Sequence, residues 1–219
     1  KRQSHVAAIA VSLLFTFGIT ADESAAEPFQ LASEGEARAV IVVPNNAPHP
    51  VTFAADELKR FLDRMTGGTF RIVQAAPQDG PAIMLGASFA EQIGVDVDAI
   101  TRDGFAMRTK GRRLYIAGRD DTSEKSGVLH TVYDGPVLKP PYPAKRTRAV
   151  REVQDKYKDT GWDFERGTLH GTYGLLRRLG VRFYFPGPHG TFVPKKHELS
   201  IEPINVTEEP RFLLRVEHG

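Results

Sequence analysis

Apolar positions in this chain follow two periods, and the clearest stretch is residues 167–187, GTLHGTYGLLRRLGVRFYFPG. Leu169, Thr172, Tyr173, Leu176 and Leu179 recur at helical spacing and draw one stripe along an amphipathic helix. Gly167-Thr168 offers its start, with the Thr168 hydroxyl placed to cap an unpaired backbone N–H. Gly180 offers its stop. Residues 181–185, Val-Arg-Phe-Tyr-Phe, are β-branched and aromatic and predict a buried strand, closed by a turn at Pro186-Gly187.

The same two periods organise what comes before. Residues 37–43 form a nearly continuous apolar run, as in a strand buried on both faces. Beyond a Pro/Asn-rich loop, Val51, Ala54, Ala55, Leu58, Phe61, Leu62 and Met65 share one face of a helix that Gly67-Gly68 ends. Short strands are predicted at 70–73 and 82–85, with a short helix at 88–93 stopped by Gly94. Residues 104–108 and 114–117 flank a turn and read as a hairpin. From 119 to 166 the period dissolves into polar, Pro-rich and basic stretches, so residues 121–165 read as a long insertion with at most one helix, near 149–157. Short edge strands are expected at 191–193 and 199–204. Glu208-Glu209-Pro210 reads as a linker, and a new apolar segment starts at Phe212. No internal repeat is visible. The pattern predicts an α/β (α+β) sandwich: a mixed β-sheet covered by two main helices, with the insertion before the last of them.

The first residues change the picture of compartment. Lys1-Arg2, an apolar run over 6–19 and the small residues Ser24-Ala25-Ala26 have the build of a signal peptide over residues 1–26. The run is short for a membrane span, which takes about 20 residues. The expectation is a secreted or periplasmic protein with no span once the leader is removed. The absence of cysteine excludes a disulfide framework, a thiolate zinc site and a thiol nucleophile. With 29 basic and 27 acidic residues among 219, the formal charge of +2 gives no global field to draw nucleic acid.

Candidate chemistry is sparse. Asp56-Glu57 falls on the polar side of its helix and reads as a solvated pair; Asp120-Asp121 follows the hairpin, where Asp caps or turns. Neither offers two carboxyls facing each other across a sugar, which glycoside hydrolysis needs. His170 lacks the second His of a zincin motif, and His189, His197 and His218 are scattered. Gly86 and Gly118 begin no phosphate-binding loop. No catalytic residue, metal ligand or cofactor is assigned. Two features of the insertion could hold sugar. One is the basic stretch with Arg146 and Arg148 beside Tyr142; the other is Trp162, the only tryptophan, whose ring could stack on a sugar or pin the loop.

Several stretches together resemble the N-terminal domain of bacterial α-glucuronidase-like glycoside hydrolases: 53–73, 82–88, 103–120, 208–212 and, most specifically, RGTLHGTYGLLRRLGVRFYFPG at 166–187. They are similar, too, to the α/β domain preceding the barrel in β-N-acetylhexosaminidases. The resemblance covers roughly residues 31–215. It implies an accessory domain over 27–207, a linker and barrel start over 208–219, and a (β/α)8 catalytic barrel as partner, with the acid and base carboxylates in that barrel. In relatives the Gly-Arg-Asp after the hairpin runs almost directly into the Gly-Thr helix start; here residues 121–165 intervene. The resulting expectation is a non-catalytic accessory domain of a secreted glycoside hydrolase acting in polysaccharide degradation. A stand-alone carbohydrate-binding module and a structural protein-interaction domain are the alternatives.

Overall fold

The computed structural model describes residues 28–122, 165–185 and 188–210. Strand β1 (Phe29–Ser33) turns back into β2 (Glu36–Ala37), and β3 (Val40–Val42) leads to helix α1 (His49–Thr66). β4 (Ile72–Val73), β5 (Ala82–Leu85) and a 3₁₀ helix (Ala87–Ile93) follow, then the hairpin β6 (Phe105–Lys110) and β7 (Arg113–Gly118). Helix α2 (Gly167–Arg178) precedes β8 (Arg182–Phe183), β9 (Thr191–Phe192), β10 (Leu199–Ile201) and β11 (Asn205–Glu208). The main sheet runs β11-β6-β7-β5-β3-β4, parallel from β7 to β4 and antiparallel where β6 and β11 join. The expected mixed sheet is present.

Alternation along the strands sorts the core into two layers. Ile41, Ile83, Leu85, Leu114, Ile116 and Met107 point to one face, where α1 and α2 lie side by side. Val40, Val42, Ala82, Met84 and Tyr115 point to the other, against Ile93 of the 3₁₀ helix. A small sheet, β10-β1-β2, adds Phe29, Leu31, Leu199 and Ile201 to the helical side.

α1 buries the face that its period predicts, Val51 through Met65. Gly67 ends it in the left-handed region (φ 86°), with its N–H on the Asp63 carbonyl at 2.9 Å. The Asp63 carboxylate accepts the Phe70 N–H at 2.7 Å and pairs with Lys59, so one side chain ties the helix end to the chain beyond it. Glu57 departs from the solvated reading of Asp56-Glu57. It accepts the Tyr173 hydroxyl at 2.7 Å and a bidentate pair from Arg60, linking α1 to α2.

Other expectations change for identifiable reasons. The run at 37–43 is broken because the Arg38 and Ala39 N–H groups both turn to the Leu31 carbonyl, so Ala37 belongs to the small sheet and Val40 starts the large one. The element at 88–93 is a 3₁₀ helix. Of residues 181–185 only Arg182–Phe183 is strand, in a separate two-stranded ribbon with β9, and beyond buried Val181 the side chains are exposed. β10 stops at Ile201; the chain then crosses to the large sheet, where Ile204 and Thr109 exchange hydrogen bonds. β11 was not legible as a strand, and it claims Glu208 from the expected linker. The leader at 1–26, the helix expected near 149–157 and the apolar segment from Phe212 lie outside the described residues.

Candidate functional site beside the second helix

The site begins with glycines. α2 approaches the β6–β7 hairpin so closely that a Cβ on Gly171 would stand inside van der Waals contact with Ile116 Cγ2 and 3.0 Å from the Phe105 ring. One on Gly174 would sit 2.9 Å from the same ring. At the helix start, backbone meets backbone: a Cβ on Gly118 would lie 2.7 Å from Gly167 Cα and 2.6 Å from the Gly104 carbonyl. Interior glycines cost a helix roughly 1 kcal/mol each relative to Ala, and close approach is the usual compensation.

That approach brings the end of β7 onto the N-terminus of α2. Asp120 accepts the Thr168 N–H at 3.0 Å and the Thr168 hydroxyl at 2.5 Å. The cap therefore comes from just beyond β7, far away in sequence, and the Thr168 hydroxyl donates to it rather than capping the helix itself. Around it the two ends of the insertion close in a short ladder. Asp120 bridges Arg166, the Gly167 N–H meets the Arg119 carbonyl at 2.8 Å, and the Asp121 N–H meets the Glu165 carbonyl at 2.9 Å. Arg119 and Glu165 add an ion pair at 2.6 Å. Burial pushes the Asp120 pKa up to about 7, with the Glu165 and Asp103 charges adding to the rise and the two Thr168 bonds opposing it.

In front of this junction lies a groove of about 820 Å³, bounded by α2, β8 and the end of β11. Arg166, His170, Tyr173, Arg177, Phe183, Tyr184, Glu208, Glu209 and Pro210 are among the residues that line it. Its carboxylates are committed. Asp103 accepts the Arg166 N–H at 3.1 Å and lies 3.7 Å from His170 Nε2; Glu208 pairs with Arg178 at 2.7 Å; Glu209 accepts the Thr101 N–H at 3.0 Å. Burial holds the His170 pKa below its ordinary value, against the pull of Asp103 and with the Arg166 and Arg177 charges lowering it further. Phe183 is fixed by edge-on contacts to Phe61 and Tyr173, each with centroids 5.5 Å apart.

Arg146, Arg148, Tyr142 and Trp162, the sugar-binding candidates of the sequence, lie outside the described residues. Sequence reading missed the groove. Its available signal was the polar side of α2, where His170, Arg177 and Arg178 break the apolar stripe. Among the described residues no group of His, Asp and Glu side chains could hold a metal ion, and no helix is long and apolar enough to cross a membrane.

Residues 29–134 match the family described as glycosyl hydrolase family 67 N-terminus. Among solved structures the chain is similar to BtGH115A, a family GH115 4-O-methyl-α-glucuronidase with specificity for decorated arabinogalactans. The identity is 18% and the TM-score 0.42, over 78% of this chain and 18% of that one, so the chain spans less than a fifth of that protein's length. No curated protein matches the chain. Through residues 29–134, then, this chain is similar to the N-terminal accessory domain of α-glucuronidase-like glycoside hydrolases.

Proposed function

We propose that this domain is a non-catalytic part of an exported glycoside hydrolase engaged in polysaccharide degradation, with bond cleavage done by a (β/α)8 barrel that packs against it. The observation that carries this reading is the state of the groove's carboxylates. Hydrolysis of a glycosidic bond needs one acid to protonate the leaving oxygen and a second, facing carboxylate as nucleophile or base. Asp103, Glu208 and Glu209 each hold a neighbouring cation or backbone N–H, and Asp120 serves the helix N-terminus. The ribbon supplies surface for packing: Tyr184, Phe185 and Phe192 are 73%, 59% and 54% exposed, an aromatic edge that isolated domains seldom leave to water. Purified chain should turn over neither aryl glycosides nor glucuronoxylan. Turnover that survives repurification and disappears in Asp103→Asn would sink the reading. Export is checked by sequencing the N-terminus of the extracellular product, expected to begin after Ala26.

A further inference from the structure

We propose that the β8–β9 ribbon, with the C-terminal ends of both helices, is a docking face for an acidic protein surface. That surface sets carboxylates against Arg177, Arg182, Lys195 and Lys196, and aliphatic side chains against Tyr184, Phe185 and Phe192. The inference rests on the reading that a neighbouring domain covers the ribbon, and adds the charge of that domain's face. Behind it stands a local imbalance in a chain whose charges otherwise nearly cancel. Residues 166–197 hold Arg166, Arg177, Arg178, Arg182, Lys195 and Lys196 but no aspartate or glutamate. The fold gathers most of these cations. The Arg182 Nη1 donates to the Arg177 and Val181 carbonyls at 2.8 and 2.9 Å. Lys196 Nζ donates to the Leu179 carbonyl at 3.0 Å, at the end of α2, and Lys195 Nζ to the Arg64 carbonyl at 2.7 Å, near the end of α1. The ribbon's register sets Arg182 directly across from Phe192, so a cation and an exposed ring are neighbours.

Arg177, Arg182, Lys195 and Lys196 are all exposed, and among the described residues no carboxylate pairs with any of them. Nearby carboxylates are spent elsewhere. Glu57 holds Arg60 and Tyr173, Asp63 holds Lys59 and the Phe70 N–H, Glu198 accepts from Ser33 and the Glu34 N–H, and Glu208 pairs with Arg178. Carbonyl partners at helix ends fix where the cations stand without neutralising them. Cations held in place suit carboxylates held in place, because little side-chain freedom is lost when the pairs form. A fluid lipid surface gains nothing from that fixity. The exposed rings beside them call for an apolar contact that a bare polyanion lacks.

The test titrates the chain with an acetylated peptide alternating Glu and Leu and with its Gln-Leu and Glu-Ser counterparts, read by calorimetry and by amide shifts in NMR. Co-sedimentation with phosphatidylglycerol vesicles runs beside it. The Glu-Leu peptide should bind about tenfold or more tightly than either counterpart, and salt should weaken it. Lys195→Gln combined with Lys196→Gln, and separately Phe192→Ser, should each lower that affinity by about tenfold. Arg112→Gln, an exposed cation in the β6–β7 turn, should leave it unchanged. The substituted side chains are exposed, so the variants should keep the wild-type circular dichroism. A Gln-Leu peptide that binds equally well would overturn the proposal, since the rings alone would then decide. An equal Glu-Ser peptide would do the same for charge alone, as would no binding to any probe. Capture by vesicles without peptide binding would assign the face to a lipid surface instead. Any of these failures without glycoside turnover leaves the accessory-domain reading standing and moves the domain contact to another face. Turnover of an aryl glycoside by the chain breaks the non-catalytic reading and leaves the docking face standing.

Discussion

The two long helices lie side by side on one face of the sheet and reach it by opposite means. α1 fills space: Leu58, Phe61, Leu62 and Met65 are among the largest fully buried side chains. α2 removes it: Gly167, Gly171 and Gly174 let its backbone press on β6 and β7, while Leu175 and Leu176 turn inward beside them. The ends differ as well. α1 is closed at its C-terminus by its own Asp63 and Gly67, local in sequence, whereas the N-terminus of α2 is held by Asp120 from across the insertion. A helix docked by bulk announces itself in a hydrophobic pattern, and one docked by closeness does not.

The difference can be broken by mutation. Leu62→Ala in α1 and Leu176→Ala in α2 should each cost about 2–5 kcal/mol in urea unfolding, through lost burial and the cavity left behind. Adding a single methyl should separate the helices. Gly171→Ala gains roughly 1 kcal/mol of helix propensity, yet the clash with Ile116 and Phe105 should leave it destabilised by about 1–3 kcal/mol. A stabilised Gly171→Ala would mean that α2 is not held by close approach.

The pH dependence sharpens the contrast in capping. Asp120 binds its proton more tightly in the folded chain, rising from 3.8 to about 7. Its contribution is thus complete below pH 4 and is lost as pH rises through 7, on the order of 1–2 kcal/mol between pH 5 and 7. His170 acts in the opposite sense. Its folded pKa lies below 6.5, so the unfolded chain takes the proton first and stability falls as pH drops below that value. The wild-type profile should therefore fall between those of the two single variants. Asp120→Asn should become more stable as pH rises, and His170→Gln less stable. If all three unfold with the same pH profile, Asp120 is not the buried cap described above.

Two smaller effects test the phase of α2. The Thr172 hydroxyl is fully buried without a hydrogen-bond partner, so Thr172→Val should be neutral or stabilising by up to about 1 kcal/mol. Arg177 is exposed, and Arg177→Ala should stay within about 0.5 kcal/mol of wild type.

What the sequence made legible follows the same divide. The stripe of α1, strand β5 and the β6–β7 hairpin were readable because their signals are local and bulky. β1 was not: its partner β10 lies at the other end of the chain, and Gln30 and Ser33 dilute its pattern. β11, Asn205–Glu208, is polar and joins the sheet by register with β6 rather than by an apolar face. At the candidate site, the Asp-Asp after the hairpin was rightly read as cap or turn, but Thr168 as its partner comes only from the fold. Gly171 and Gly174 were the unused clue, since glycines one helical turn apart inside an amphipathic stretch ask what lies against them.

The ladder between residues 119–121 and 165–167 makes the start and the finish of the insertion near neighbours in space. For evolution, and for the engineer, that is a socket. A segment plugged in there need satisfy no distance constraint, and doubling its length adds only about 0.6 kcal/mol of closure entropy. Residues 122–164 can be lengthened, trimmed or replaced while the ladder keeps the hairpin's grip on α2. The same point should accept a reporter peptide or a second folded module, carried by a domain whose own sheet it never has to enter.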